Sequence, residues 1–173
     1  MTDQRDSSDT ERREFIGALA KHRGLLVRTV RRISEEQARL RPTVSVLCLG
    51  GLIKHVTTME EGWANFITEG TSAMSGADAT DAARFSATFE MMDGETVALV
   101  LERYHERARA TDELIMTLPS LDVSHPLPDA PWFEGGASWS ARRVLLHILA
   151  ETAQHAGHAD IIRETIDGAK SMG

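Results

Sequence analysis

The chain has 173 residues, of which 42% are hydrophobic and 26% are charged, as expected for one folded domain with an ordinary core. Its net charge of −7 argues against binding of nucleic acid, because an acidic protein has no electrostatic attraction for a phosphate backbone. The sequence has no apolar run of membrane-spanning length, and its single cysteine, Cys48, cannot close an internal disulfide. We therefore expect a cytoplasmic protein without membrane partners, and Cys48 to be a small buried residue rather than a nucleophile.

The N-terminal part of the sequence predicts a polar tail and a first long helix. Residues 1–8 are predicted to be a disordered tail, and residues 9–173 to form a single domain. The Ser-x-x-Glu pattern at 8–11 is typical of a capping box, so we expect a helix to begin there and to run to about Arg32.

A short helical turn and a second long helix follow. The segment SEEQ at 34–37 has the form of a second capping box, and Pro42 ends the turn that it begins. The second long helix is expected to run from Ser45 to Gly70. Its apolar face is formed by residues at helical spacing, namely Leu49, Leu52, Ile53, Val56, Met59, Trp63, Phe66 and Ile67.

The third helix is expected after an irregular stretch of chain. The segment 85–92 is predicted to cross the bundle in an extended or irregular form, and Asp93 is predicted to be the N-cap of a helix that ends at Pro119. The segment 120–138, with three prolines and two glycines, is predicted to be a loop. Because this loop also carries aromatic side chains, we expect it to cover another part of the protein.

A fourth helix completes the predicted fold. Ser138 or Ser140 is expected to cap it, and it runs to about Asp167, with Gly168 just beyond its end. Four long helices without internal repeats or a credible sheet predict an all-α protein. We therefore expect an up-down-type four-helix bundle with a long ordered loop before the last helix.

The fourth helix carries a group of metal-ligand side chains. In LLHILAETAQHAGHAD, residues 145–160, His147, Glu151, His155 and His158 recur at steps of four, four and three and share one stripe of the helix. That stripe borders the side expected to face the core, where a carboxylate beside imidazoles is costly unless a cation matches its charge. The spacing alone also fits an ordinary Glu–His pair on a helix surface.

His55 on the second helix favours the metal interpretation. It lies in GLIKHVTTMEEGW, on the apolar face, and alone it would be interpreted as a core histidine bonded to a neighbour. However, two helices here send such groups inward, and bundle cores are where metal sites are built. We predict His55, Glu151 and His155 as three ligands that leave one position open, an arrangement that suits zinc, with nickel and iron as alternatives.

The remaining histidines are predicted to have other roles. Trp63, His147 and His158 are expected to line the pocket or to orient a ligand rather than to bind the metal; for the two histidines, a plain surface position is the alternative. The three histidines outside these helix faces are predicted to be structural or solvent-facing, namely His22, His105 and His125.

The segments LGGLIKHVTTMEEGW and HILAETAQHAGHADIIRETIDG resemble the DinB/YfiT-like superfamily of metal-binding four-helix bundles. More narrowly, they resemble its actinobacterial branch related to the metal-binding domain of mycothiol-dependent maleylpyruvate isomerase. The likeness covers almost the whole chain, and the family's ligand positions correspond to His55, Glu151 and His155. Many members have histidine where this chain has Glu151, and the glutamate is similar to the isomerase-type arrangement.

The resemblance implies a divalent-metal-dependent enzyme that uses a low-molecular-weight thiol of the mycothiol type, as an S-transferase or isomerase acting on a small molecule. The sequence identifies no catalytic residue beyond the ligands. One alternative is a metal- or small-molecule-binding stress-response protein without turnover, in which His147 or His158 closes the metal sphere. Another is a bundle that has kept the fold and lost the metal. A homodimer formed through an exposed helix face is also expected.

Overall fold

The computed structural model describes residues 2–74 and 86–172, without the side chains of residues 2–7. The described part is a bundle of four long helices, which confirms the predicted all-α fold, with one short helix and two short strands. The helices are α1 (Thr2–Thr29), α2 (Glu35–Arg39), α3 (Leu49–Glu69), α4 (Val97–Thr117) and α5 (Ala141–Asp167); a 3-10 turn (Gly70–Met74) follows α3, and β1 (Ser124–Pro126) pairs antiparallel with β2 (Ser138–Ser140). Within these residues, none of the helices combines the length and apolar character that crossing a bilayer requires.

Helix α1 begins earlier than the sequence predicted. It starts at Thr2 instead of at the capping box of residues 8–11, so the segment predicted to be a disordered tail is helical from Thr2 onward. Residues 2–8 contain no proline or glycine, and no backbone restraint therefore stops the helix from extending towards the N-terminus.

The second capping box is confirmed, and α3 starts later than expected. Ser34 accepts a hydrogen bond from the backbone of Gln37, whose side chain accepts one from the Ser34 N–H. Helix α3 begins at Leu49, not at Ser45, after the extended backbone of Cys48. Cys48 is a free, buried thiol, as expected. The predicted end of α3 is confirmed, since Gly70 forms its C-cap with a φ of 67°.

The prediction that Asp93 caps the third helix is wrong. Thr96 is the N-cap of α4, and its hydroxyl accepts a hydrogen bond from the Leu99 N–H. Tertiary contacts hold the preceding residues outside the helix, because the Arg39 guanidinium donates hydrogen bonds to the carbonyls of Met91 and Glu95. In the predicted irregular segment, residues 86–88 form a helical turn, and Phe85 lies outside the described residues.

The hairpin of β1 and β2 corrects the expectation of a bundle without any sheet. Its strands are three residues long, too short to show the alternation by which a strand is recognised in a sequence. Both predicted ends of the last helix are confirmed. Ser140 caps α5 by accepting from the Arg143 N–H, and Gly168 ends it with a left-handed φ of 77°.

Helices α1 and α5 run parallel along one side of the bundle. Near their starts, Arg142 Nε lies 2.6 Å from Glu11 Oε1. Near their ends, Arg163 donates a 2.8 Å hydrogen bond to the Thr29 carbonyl, one of the last backbone acceptors of α1.

Helices α3 and α4 are also parallel neighbours. Lys54 lies 3.0 Å from Glu95, next to the start of α4, and Arg107 lies 3.1 Å from Glu61 farther along both helices. Helix α3 is antiparallel to its other neighbour, α5. The four long helices therefore run up, down, down and up in chain order, instead of in the alternating up-down order that the sequence analysis predicted. This order places α3 against α5.

Two glycines of α3 let the following chain lie close against the helix. A Cβ at Gly50 would collide with the Met91 side chain, and a Cβ at Gly51 would collide with the Phe89 carbonyl. The Phe89 carbonyl thus lies against α3 at Gly51, one helical turn before His55. This close approach places Thr88 and Phe89 beside the His55 side chain.

Candidate metal centre

The three predicted ligands meet between α3 and α5. One ligand atom from each of His55, Glu151 and His155 can be chosen so that all three lie within 4.8 Å of one another. Both histidines are buried, and Glu151 is partly exposed. Ligands about 2.0–2.2 Å from one tetrahedral ion are separated by about 3.3–3.6 Å. The most widely spaced pair would therefore need to close by at most about 1.5 Å around a cation. Two imidazole nitrogens and a carboxylate oxygen fit a divalent metal ion with an open position.

His55 is held in position by two residues of the segment that follows the 3-10 turn. Its Nδ1 lies 2.9 Å from Thr88 Oγ1, and its ring stacks on Phe89 with centroids 3.7 Å apart and planes at 17°. With Nδ1 protonated and donating to Thr88, Nε2 carries the lone pair that a metal requires. Burial, with repulsion from His155 as a second cause, lowers the pKa of His55 to about 4. The ring is therefore neutral at pH 7, as metal binding requires.

His155 lies between Glu151 and His158. Its Nε2 is 3.5 Å from Glu151 Oε2, and its Nδ1 is 3.4 Å from His158 Nδ1. Burial lowers the pKa of His155, although the Glu151 carboxylate acts in the opposite direction. His158 thus contacts the ring nitrogen of His155 that faces away from Glu151. This is the position of a residue that orients a ligand.

His147 and Trp63 lie in an aromatic cluster beside the three predicted ligands. The ring centroids of His147 and Trp63 are 4.8 Å apart, and Trp139 of β2 lies 5.2 Å from His147. Phe133, from the loop before β2, contacts both tryptophans edge to face. Burial lowers the pKa of His147. The loop predicted to cover another part of the protein therefore packs onto the bundle next to the candidate metal centre.

The other three histidines lie away from this centre. His105 is exposed on α4, and His22 is half-buried on α1. His125 packs against Gly70, and its Nε2 lies 3.1 Å from the Ile67 carbonyl near the end of α3. These positions agree with structural or solvent-facing roles.

Sequence reasoning missed Thr88, Phe89, Phe133 and Trp139 as parts of the site. Thr88 and Phe89 lie in an irregular segment without a periodic pattern, so no sequence signal assigns them to a face. Trp139 lies in β2, two residues before the start of α5. A sequence pattern does not predict the direction of a side chain at such a position.

A comparison with protein families identifies the family to which the described bundle corresponds. A model of the mycothiol-S-transferase family matches residues 14–168, a range from α1 to the end of α5 that includes His55, Glu151 and His155. No curated protein matches the chain. The match confirms the predicted resemblance to the DinB/YfiT-like superfamily. The chain belongs to the mycothiol-S-transferase family.

Proposed function

We propose that this protein is a divalent-metal-dependent S-transferase that joins a low-molecular-weight thiol of the mycothiol type to a small electrophile. The observation that carries the proposal is the convergence of His55, Glu151 and His155 in a chain whose family is named for transfer involving the thiol mycothiol. We propose zinc as the metal, because two histidines and one glutamate form a recurrent zinc ligand set, with nickel and iron as alternatives.

The proposed chemistry needs a thiolate at neutral pH. A divalent cation held by the three residues supplies the positive charge that lowers the pKa of a thiol placed at its open position. His55 and His155 serve as neutral nitrogen donors, because burial lowers the pKa of each ring. Thr88 and His158 orient these rings, and the Glu151 carboxylate offsets part of the metal charge.

The positions of His147 and His158 favour an enzyme over a binding protein without turnover. The alternative requires one of these two side chains to close the metal sphere. His158 contacts Nδ1 of His155, whereas the Nε2 of His155 faces Glu151. His147 packs against Trp63 and Trp139. Neither side chain belongs to the group of residues whose ligand atoms lie within 4.8 Å of one another, and this supports a site that is open to a thiol.

The test combines metal content with thiol transfer. Protein purified without a polyhistidine tag or chelator is analysed for metal, and its conjugation of mycothiol to an electrophile is followed as loss of free thiol. We expect about one metal ion per chain. His55→Ala should lose both metal and activity, while His105→Ala, a histidine replaced on the exposed face of α4, should keep both.

Two results would separate the alternatives. Unchanged metal content and unchanged conjugation in His55→Ala would refute the proposal. A full complement of metal in the wild type without conjugation of any thiol tested would instead favour the binding protein.

A further inference from the structure

All three tryptophans of the chain lie together beside the candidate metal centre. The sequence has only nine aromatic residues of the Phe, Trp and Tyr types, and four of them meet here. We call this group the aromatic cluster; it consists of Trp63, Trp132, Phe133 and Trp139, with the ring of His147 against it.

The aromatic cluster is an ordered arrangement of rings. Trp63 and Trp139 stack with centroids 4.9 Å apart and planes at 17°. Phe133 meets them edge to face at 6.2 and 5.8 Å. The guanidinium of Arg143 lies 4.5 Å above the Trp139 ring. Each of these geometries is one that aromatic rings favour, so a further flat ring can join by the same contacts.

The rings of the aromatic cluster are less buried than expected for side chains that only anchor a loop to the bundle. Phe66 and Tyr104, which belong to the bundle core, are fully buried. Trp63, Phe133 and Trp139 are each only partly buried, and Trp132 is exposed. Large apolar side chains left in contact with water next to a candidate active site are typical of a ligand-binding surface.

The aromatic cluster is close enough to the candidate metal centre for one small molecule to reach both. Along α5, His147 precedes Glu151 by one turn and His155 by two, and Trp63 follows His55 by two turns along the antiparallel α3. At a rise of 1.5 Å per residue, the cluster lies about 6 Å from the level of Glu151 and about 12 Å from that of the histidines. A substituted benzene ring on the cluster spans the shorter of these distances and so reaches the level of Glu151.

We propose that the aromatic cluster binds the flat, apolar part of the electrophile and so selects aromatic acceptors. This inference rests on the proposed function, because it names the second substrate of that site. With an aryl halide as acceptor, the thiolate sulfur forms a bond to the ring carbon, the carbon–halogen bond breaks, and halide leaves. The thiol proton is released to solvent.

The first experiment measures binding without turnover. Because all three tryptophans belong to the cluster, the tryptophan fluorescence of the protein reports on this surface alone. We titrate metal-free protein with 1,3-dinitrobenzene, a flat quencher that lacks a leaving halide, and correct for its absorption. Saturable quenching is expected, and Phe133→Leu should weaken it about two- to ten-fold, the loss of one aromatic contact. Phe15→Leu, the same change on α1, should leave the saturable quenching unaltered.

The second experiment uses the metal-loaded enzyme. Phe133→Leu should raise KM for 1-chloro-2,4-dinitrobenzene about two- to ten-fold more than KM for iodoacetamide, which has no ring. Quenching that does not saturate, or that Phe133→Leu and Phe15→Leu weaken equally, would overturn the inference. Saturable quenching that Phe133→Leu weakens, in a protein that conjugates no acceptor, would uphold the aromatic site and refute only the proposed transferase.

Discussion

An ion pair inside the bundle joins α1 to α3, the helix that carries His55. Arg23 Nη2 lies 2.5 Å from Glu60 Oε1, and the two side chains are 7% and 0% exposed. Arg23 also contacts Asp112 of α4 at 2.7 Å, and the Asp112 side chain is 34% exposed. Within the described residues, Oε2 of Glu60 has no hydrogen-bond partner. Arg23 is thus paired with two carboxylates, those of Glu60 and Asp112. Glu60, in contrast, is paired with one cation among the described residues, Arg23.

This asymmetry predicts unequal effects of removing either partner. Arg23→Met leaves the Glu60 charge buried without compensation, which costs about 3–5 kcal/mol of the free energy of unfolding. Glu60→Met leaves Arg23 paired with Asp112, so we expect a smaller cost of about 1–3 kcal/mol. The double variant replaces the buried pair by apolar side chains, and Asp112 can be hydrated. Its cost should therefore be well below that of Arg23→Met alone.

Urea denaturation of the metal-free proteins, followed by circular dichroism, measures these differences in the free energy of unfolding. Chelator is present throughout, because bound metal would add its own stabilisation. The four proteins form a double-mutant cycle, and we expect a coupling energy of about 2 kcal/mol or more between the two positions. Additive single effects, or a larger loss for Glu60→Met than for Arg23→Met, would refute the reasoning.

Two further predictions concern His55. Thr88→Val removes the hydroxyl that contacts Nδ1 of His55 and should weaken metal affinity about ten-fold or more, as measured by competition with a coloured chelator. Thr58→Val, at an exposed position of α3, is the control, and equal affinities for the two variants would contradict the orienting role. The second prediction is that the metal-free protein loses stability as the pH falls. His55 binds a proton near pH 6.5 when unfolded but only near pH 4 when folded, so the unfolded state binds more protons in that window and stability rises with pH. Between pH 7 and 5 we expect His55 to account for a loss of about 1–2 kcal/mol, reduced for partial solvation of the ring. Urea denaturation at both pH values should show this loss shrinking in His55→Asn, and an undiminished loss in that variant would count against the buried, neutral ring.

The helix ends that the sequence predicted correctly depend on local chemistry. The capping box at 34–37 satisfies backbone donors within four residues, and Gly70 and Gly168 adopt positive φ values that other residues disfavour. The start of α4 could not be predicted in this way. Asp93 and Thr96 are both good N-caps, and the choice between them depends on Arg39, more than fifty residues earlier in the chain, which binds the carbonyls of the intervening segment.

The three residues of the candidate metal centre could be singled out from the sequence by pattern and by spacing. His55 interrupts an apolar face, and Glu151 and His155 lie four residues apart on one stripe, so spacing alone brings two of the three groups together. Thr88 could not be found. A threonine in an irregular segment carries no information about the side chain it will contact until the approach of that segment to Gly51 is known.

The candidate metal centre and the aromatic cluster are two levels of one helix interface. Trp63 follows His55 by eight residues on α3, and His147 precedes His155 by eight on α5. The two helices are antiparallel, and both spacings are eight residues. The contact between His55 and His155 is therefore repeated two turns away as the contact between Trp63 and His147. A substitution that shifts α3 along α5 by one turn would therefore disrupt both levels together. Changes in the loop that carries Phe133 should disrupt the aromatic level alone, and this difference allows the proposed acceptor site to be tested without disturbing the candidate metal centre.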